Sequence, residues 1–147
     1  MRIPFLRKRE RNPVLYNKGI EDEYELNRKA RSYTTKLFIG TNNPDRLLDF
    51  VFEQVFIIYS LAMTAGSQEV SDKARHALCM LRKEYEALMY EDLYSFKEET
   101  AVACSVALTE GVAVLQELPR SEFKLVYVQV KRITETRSGI TNYLRSF

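Results

Sequence analysis

The sequence predicts an all-α fold, a single-domain bundle of about five helices over residues 20–147 behind a basic N-terminal arm over residues 1–19. Three observations lead to it. Five glycines and four prolines in 147 residues are few for a turn-rich β fold and leave room for long helices. Apolar residues make up 46% and charged residues 29%, the balance of an ordinary globular chain long enough to bury one core. Apolar positions also recur at intervals of three and four along most of the chain, the period of a helix with one buried face.

The first segment spans residues 20–39. Its early turns hold Glu21, Asp22, Glu23 and Glu25 and its later turns Arg28, Lys29, Arg31 and Lys36, an order that complements the helix dipole. Leu26, Ala30, Tyr33 and Leu37 form a narrow apolar stripe, and Gly40 is a natural stop. The second segment opens at Asn43-Pro44, a capping residue followed by proline at the first helical position, and continues to residue 65. Leu48, Val51, Val55, Ile58 and Ala62 mark one face, yet Phe52, Phe56, Ile57 and Leu61 cover most of the remainder. A helix apolar nearly all round is a buried one.

Gly66-Ser67 ends that helix and is expected to cap the third, over residues 68–90. Val70, Ala74, Ala77, Leu81, Tyr85 and Leu88 give it the cleanest amphipathic spacing in the chain. Ser95 and Glu98 have the S-x-x-E spacing of a capping box and predict the start of the fourth segment, which runs to residue 118. Its small residues, among them Ala103, Cys104, Ala107 and Gly111, admit close helix approach and predict a central position. Ser121 is expected to cap the fifth segment, residues 122–138. There Phe123, Val126, Val130 and Ile133 fit a helix better than an isolated strand without a partner. Gly139 is then expected to release a tail whose Tyr143, Leu144 and Phe147 pack back as a short turn.

Charge is segregated. Residues 1–12 hold Arg2, Arg7, Lys8, Arg9 and Arg11 against Glu10 alone, a net +4; with a whole-chain charge of +2, the remainder sums to −2. The glutamate-rich group Glu84, Glu86, Glu91 and Asp92 reads as a solvated face eased by Arg82 and Lys83. The apolar run over residues 55–65 is too short to span a bilayer, so no membrane span is expected. No apolar stretch follows the basic start as in a signal peptide. The arm's arginines resemble those of a transit peptide, but Glu10, Pro13 and the absence of serine weigh against one. Cys79 and Cys104 lie in apolar helical runs without metal-ligand spacing. They are expected to be reduced thiols in a cytoplasmic or other reducing compartment, pairing only if their helices set them face to face.

Chemical signatures are sparse. The one histidine, His76, lies three residues before Cys79 on the same predicted helix, a spacing compatible with a thiol–imidazole pair; beside the apolar stripe it reads more simply as a surface residue. One histidine cannot supply the two Glu-x-x-His pairs of a bundle di-metal site. The acid pairs Asp22/Glu25 and Glu69/Asp72 have magnesium-site spacing, but both fall in first turns, where acids serve the helix dipole. No phosphate-binding glycine loop, dinucleotide fingerprint or zinc motif occurs, so no catalytic set, cofactor or metal is expected.

The arm is the feature that asks for a partner. Its five bases would dock on an acidic protein surface, including that of another copy. Ile3, Phe5 and Leu6 add apolar anchors that suit a protein groove. The same bases would also neutralise phosphates, so a nucleic-acid accessory role is the alternative. The expectation is therefore a non-enzymatic interaction or assembly protein. Its contact residues are Arg2, Phe5, Leu6, Arg7, Lys8, Arg9 and Arg11 of the arm, with Tyr90, Tyr94 and Phe96 at a helix junction.

Overall fold

In the computed structural model, the described residues are 44–90 and 96–147, together with Arg28 and Ser32. They form five helices in chain order and no strand: α1 (Pro44–Ala65), α2 (Gln68–Tyr90), α3 (Glu98–Glu117), α4 (Arg120–Thr134) and α5 (Arg137–Leu144). The all-α bundle read from the sequence is the fold observed. The arm and most of the segment over residues 20–39 lie outside the described residues; Arg28 and Ser32 within that segment are helical and exposed.

Helix α1 is the axis. It packs against α2, α3 and α4, while α2 and α3 pack against each other and α5 closes on α2 and α4. Its sequence requires this arrangement. Leu48, Val51, Phe52, Val55, Ile58, Leu61 and Ala62 are wholly enclosed, and Phe56 and Ile57 nearly so. Each large apolar side chain removed from water contributes about 1.5–3 kcal/mol, and a surface covered on all sides needs several neighbours to cover it. The small-residue helix α3 is therefore not the central one. It buries Ala103, Cys104, Ala107 and Leu108 inward and leaves Val102 and Val106 exposed on its outer side. Its small residues set the close approach to α1: a Cβ on Gly111 would lie 2.6–2.9 Å from three side-chain carbons of Ile58.

The α1–α2 turn closes as a Schellman motif. Gly66 donates to the Met63 carbonyl at 3.2 Å and Ser67 to the Ala62 carbonyl at 2.9 Å, with Gly66 at φ +73°, where a side chain would be strained. The α2 stripe is buried as its spacing predicts, with Val70, Ala74, Ala77, Leu81 and Tyr85 inside and Leu88 partly so. In α4, Val126 and Val130 face the core, and the helical reading of that segment holds.

Three local expectations are corrected. Helix α3 starts at Glu98 with Lys97, not Ser95, as its N-cap and no side-chain capping bond; Ser95 itself lies outside the described residues. Helix α4 starts at Arg120, with Pro119 rather than Ser121 at the cap; the Pro119 ring fixes φ at −70° and its carbonyl accepts from the Glu122 amide at 3.0 Å. The chain around Gly139 packs back as expected, but as the helix α5 rather than a short turn. Thr136 caps α5 by accepting from the Gly139 amide at 3.0 Å, placing Gly139 inside the first turn. There a Cβ would lie 2.2 Å from the Ile133 carbonyl oxygen, so glycine lets α5 fold back sharply on α4.

Helix α5 is held by aromatic packing. Tyr143 stacks on Phe56 at 4.1 Å between centroids and meets Phe52 edge-on at 6.2 Å. Phe147 then packs against Tyr143 and Tyr59, under the guanidinium of Arg75. Burial pushes the Tyr143 phenol pKa upward, with the Tyr59 oxygen adding to the shift and Arg75 opposing it. Ion pairs tie the outer helices to the axis: Lys131 to Glu53 at 2.8 Å and Arg137 to Asp49 at 3.1 Å.

Helix α1 also corrects the length argument made from residues 55–65. Over Asp45–Ala65 it is long and apolar enough to cross a membrane by length and composition. In the bundle more than half of that stretch is buried against other helices, and Asp49 and Glu53 within it are ion-paired.

The Gly111–Ile58 contact gives a stability prediction. Gly111→Ala should overpack this contact at a cost of about 1–3 kcal/mol, against a helix-propensity gain of about 1 kcal/mol. A net loss of about 1 kcal/mol in urea unfolding is expected, and the Ile58→Val background should reduce it. A stabilised Gly111→Ala protein would show that α3 does not approach α1 this closely.

Candidate functional site

Among the described residues, polar or reactive side chains gather in a buried set between α2 and α3 and in an open groove on the same helix pair, besides the Asp49–Tyr85–Arg137 cluster that ties α5 to α1 and α2. The buried set centres on Glu84, which is 1% exposed and so does not belong to a solvated glutamate face. Its carboxylate accepts from the Thr100 hydroxyl at 2.7 Å and, more weakly, from the Lys97 amide at 3.4 Å. A buried carboxylate is tolerated where fixed donors replace water. These donors come from the start of α3, where the helix dipole also favours negative charge. Glu86, by contrast, is exposed and paired with Arg82 one turn away at 3.2 Å. Glu91 and Asp92 lie outside the described residues.

Cys104 is buried near this carboxylate. Burial pushes its thiol pKa well up, and the charge of Glu84 adds to the shift, so the thiol stays protonated and unreactive at neutral pH. Cys79 is partly exposed; both cysteines are free. His76 is on the exposed face of α2. The arrangement of Glu84, Thr100 and Cys104 ties α2 to α3: a satisfied carboxylate and a neutral thiol in a closed interior.

The open site is a groove of about 790 Å³. Val102, Ala103 and Val106 of α3 form its floor. Val102 is 56% and Val106 40% exposed, unusual for two valines one turn apart on the same helix face. Glu98 and Glu99 rise from the first turn of α3, and Glu69, Asp72, Lys73 and His76 from the opposite wall on α2. The magnesium-spaced pair Glu69/Asp72 is thus on the rim, with Glu69 bonded to Lys73 at 3.2 Å and Asp72 accepting from Gln68 at 2.7 Å. No group of three or more His, Cys, Asp or Glu side chains among the described residues is placed to hold a metal ion.

Lys73 is engaged elsewhere. Both Glu110 oxygens lie 2.6 Å from its ammonium, and the hydrogen bonds to Glu110 first, then to Glu69, raise its pKa. The rim therefore holds four carboxylates around one ammonium that already serves two carboxylates. Over an apolar floor this focuses a negative potential.

The contact residues expected at the helix junction separate. Tyr90 is 80% exposed and edges a smaller recess of about 260 Å³ with Met89, Arg145 and Leu144. Phe96 is 4% exposed and belongs to the core, so its ring is not available to a partner. Tyr94 and the arm residues Arg2, Phe5, Leu6, Arg7, Lys8, Arg9 and Arg11 lie outside the described residues. Sequence reasoning missed the groove. Its signal was Val102 and Val106 opposite the inward positions Cys104 and Ala107, a second apolar face on a helix rich in small residues.

Two measurements check the buried set. Thr100→Val removes the hydroxyl donor to a charged acceptor and should cost about 1.5–3 kcal/mol in denaturant unfolding, whereas Thr100→Ser should retain most of the stability. Equal losses for the two would show that the hydroxyl does not support Glu84. Alkylation followed by mass measurement should label one thiol, Cys79, in the native protein and both in denaturant. Rapid labelling of Cys104 in the native protein would contradict its enclosure.

No protein-family model matches the chain, and no curated protein or solved structure matches it, so its functional reading rests on the residues themselves.

Proposed function

We infer that this chain is a non-enzymatic interaction or assembly protein, docking on protein partners or on copies of itself through its basic N-terminal arm. The observation that carries this reading is complementary segregation within one chain. Five bases and three apolar anchors lie within residues 1–12, while the helical body presents an apolar groove rimmed by Glu69, Asp72, Glu98 and Glu99. The ionisable side chains between helices support it in a second way. Glu53, Asp49, Glu84 and Glu110 are each bonded to a residue on another helix, so these groups brace the bundle.

The arm's charge also favours a second reading, a nucleic-acid accessory role in which Arg2, Arg7, Lys8, Arg9 and Arg11 neutralise phosphates. The net charge of −2 on the remaining chain counts against a broad basic face that would extend such a contact.

Removing residues 1–12 should leave the helical circular dichroism signal unchanged and lower the mass of complexes measured by light scattering. The loss should be partly mimicked by raised salt. An unchanged mass and partner profile after the deletion would refute the assembly reading. Steeply salt-dependent retardation of nucleic acid by the full chain, absent from the deleted form, would favour the second reading.

A further inference from the structure

We propose that the α2–α3 groove is the receiving surface for the N-terminal arm of a second copy of this chain. The proposal rests on the assembly reading above and adds the site where the arm binds. The groove selects its occupant by two requirements. Its floor needs apolar cover: Val102 and Val106 are 56% and 40% exposed on the outer side of a helix whose inner side is fully packed. Its rim favours cations: Glu98 and Glu99 stand at one end and Asp72 on the facing wall, beside Glu69, whose cation, Lys73, is shared with Glu110. A nucleic acid supplies the wrong sign, and an uncharged helix would leave the rim carboxylates without partners as it desolvates them.

A short peptide with adjacent apolar and basic side chains meets both requirements, and the chain contains one. Ile3, Phe5 and Leu6 supply the apolar surface, and Arg7, Lys8, Arg9 and Arg11 supply the charge, all within nine consecutive residues. Arginine suits the role, because its planar fork pairs with carboxylates bidentately. Residues 13–43 join these contact residues to α1; with 20–39 read as helix at about 1.5 Å per residue and the rest extended at roughly 3.5 Å, the reach is at most on the order of 70 Å, ample for a neighbouring copy. Arm and groove are different surfaces, so the contact is head-to-tail. Each copy gives an arm and receives one, and assembly grows until a ring closes.

Two full-length variants test this in combination. Val102→Lys/Val106→Lys places cations on the groove floor at two exposed positions and leaves the arm intact. Arg7→Glu/Arg9→Glu reverses charges in the arm and leaves the groove intact. Each alone should weaken self-association at least about tenfold with an unchanged melting curve, since like charges then face each other. Mixing the two should restore association as a 1:1 complex, because the first still has a native arm and the second a native groove.

Arm reversal that disperses the assemblies while groove substitution leaves them intact would overturn the groove assignment and leave the assembly reading standing. Two variants that each stay monomeric and remain so when mixed would also overturn the proposal, as contact within one chain predicts. If the melting curve of the lysine variant is lowered, Glu98→Gln/Glu99→Gln serves in its place, with a smaller loss expected; no loss would overturn the proposal.

Discussion

The structure depends on enclosing one helix. Helix α1 offers no continuous polar side to water, so it is stable only when surrounded, and α2, α3 and α4 each cover part of it. Packing of its bulky side chains fixes the other distances. Where Ile58 projects toward α3, that helix has glycine; where Phe52 and Phe56 project toward the C-terminus, Tyr143 closes over them. Polar groups follow the same order. Asp49 and Glu53 interrupt the apolar surface of α1, and each is met by a cation from the C-terminal helices, Arg137 or Lys131. These pairs are part-exposed and small in energy beside the apolar burial, but they orient helices that the core alone would leave free to rotate.

The covering helices divide into inner and outer faces, and the outer ones carry the functional interest. Helix α2 uses Val70, Ala74, Ala77, Leu81 and Tyr85 inward, leaving Glu69, Asp72 and His76 outside. Helix α3 is built from such small residues that its inward contacts occupy little of its circumference. The valines on its far side are thus surplus to the packing of α1. Their exposure follows from packing a thin helix against a thick one, and it leaves an apolar strip where the neighbouring wall is acidic.

The helical periods of α1 and α2 were legible because each is a property of one segment: Pro44 and Gly66 bound α1, and a repeated three-four spacing identifies the inner face of α2. The N-caps were less so. Ser95 and Ser121 fit capping patterns, but the helices start where Lys97 and Pro119 leave extended backbone, and a serine nearby is not sufficient to move that point. The burial of Glu84 was not legible at all. Its donor Thr100 is sixteen residues away on another helix, and only the packing of α2 on α3 makes a glutamate in a charged stretch an interior residue. Phe96 is the same error in reverse, since an aromatic beside a junction is as available to the core as to a partner. The groove belongs with these cases, because it requires knowing which of two apolar faces on α3 had been used.

The physical difference between the two α2–α3 sites bears on function. In the buried set, the charge of Glu84 is met by donors fixed within the fold, and Cys104 beside it is held neutral. At the rim, among the described residues, Glu98, Glu99 and Asp72 are not bonded to a cation on a facing helix, and Val102 and Val106 between them are exposed. The groove thus leaves Val102 and Val106 exposed among acids, and the proposed docking of a cationic, partly apolar segment would use both features. The exposed valines of this region add little to the stability of the isolated bundle, because they are not covered. Exposed apolar side chains gathered in one groove are a feature that association would cover, and the proposed docking of the arm draws on it.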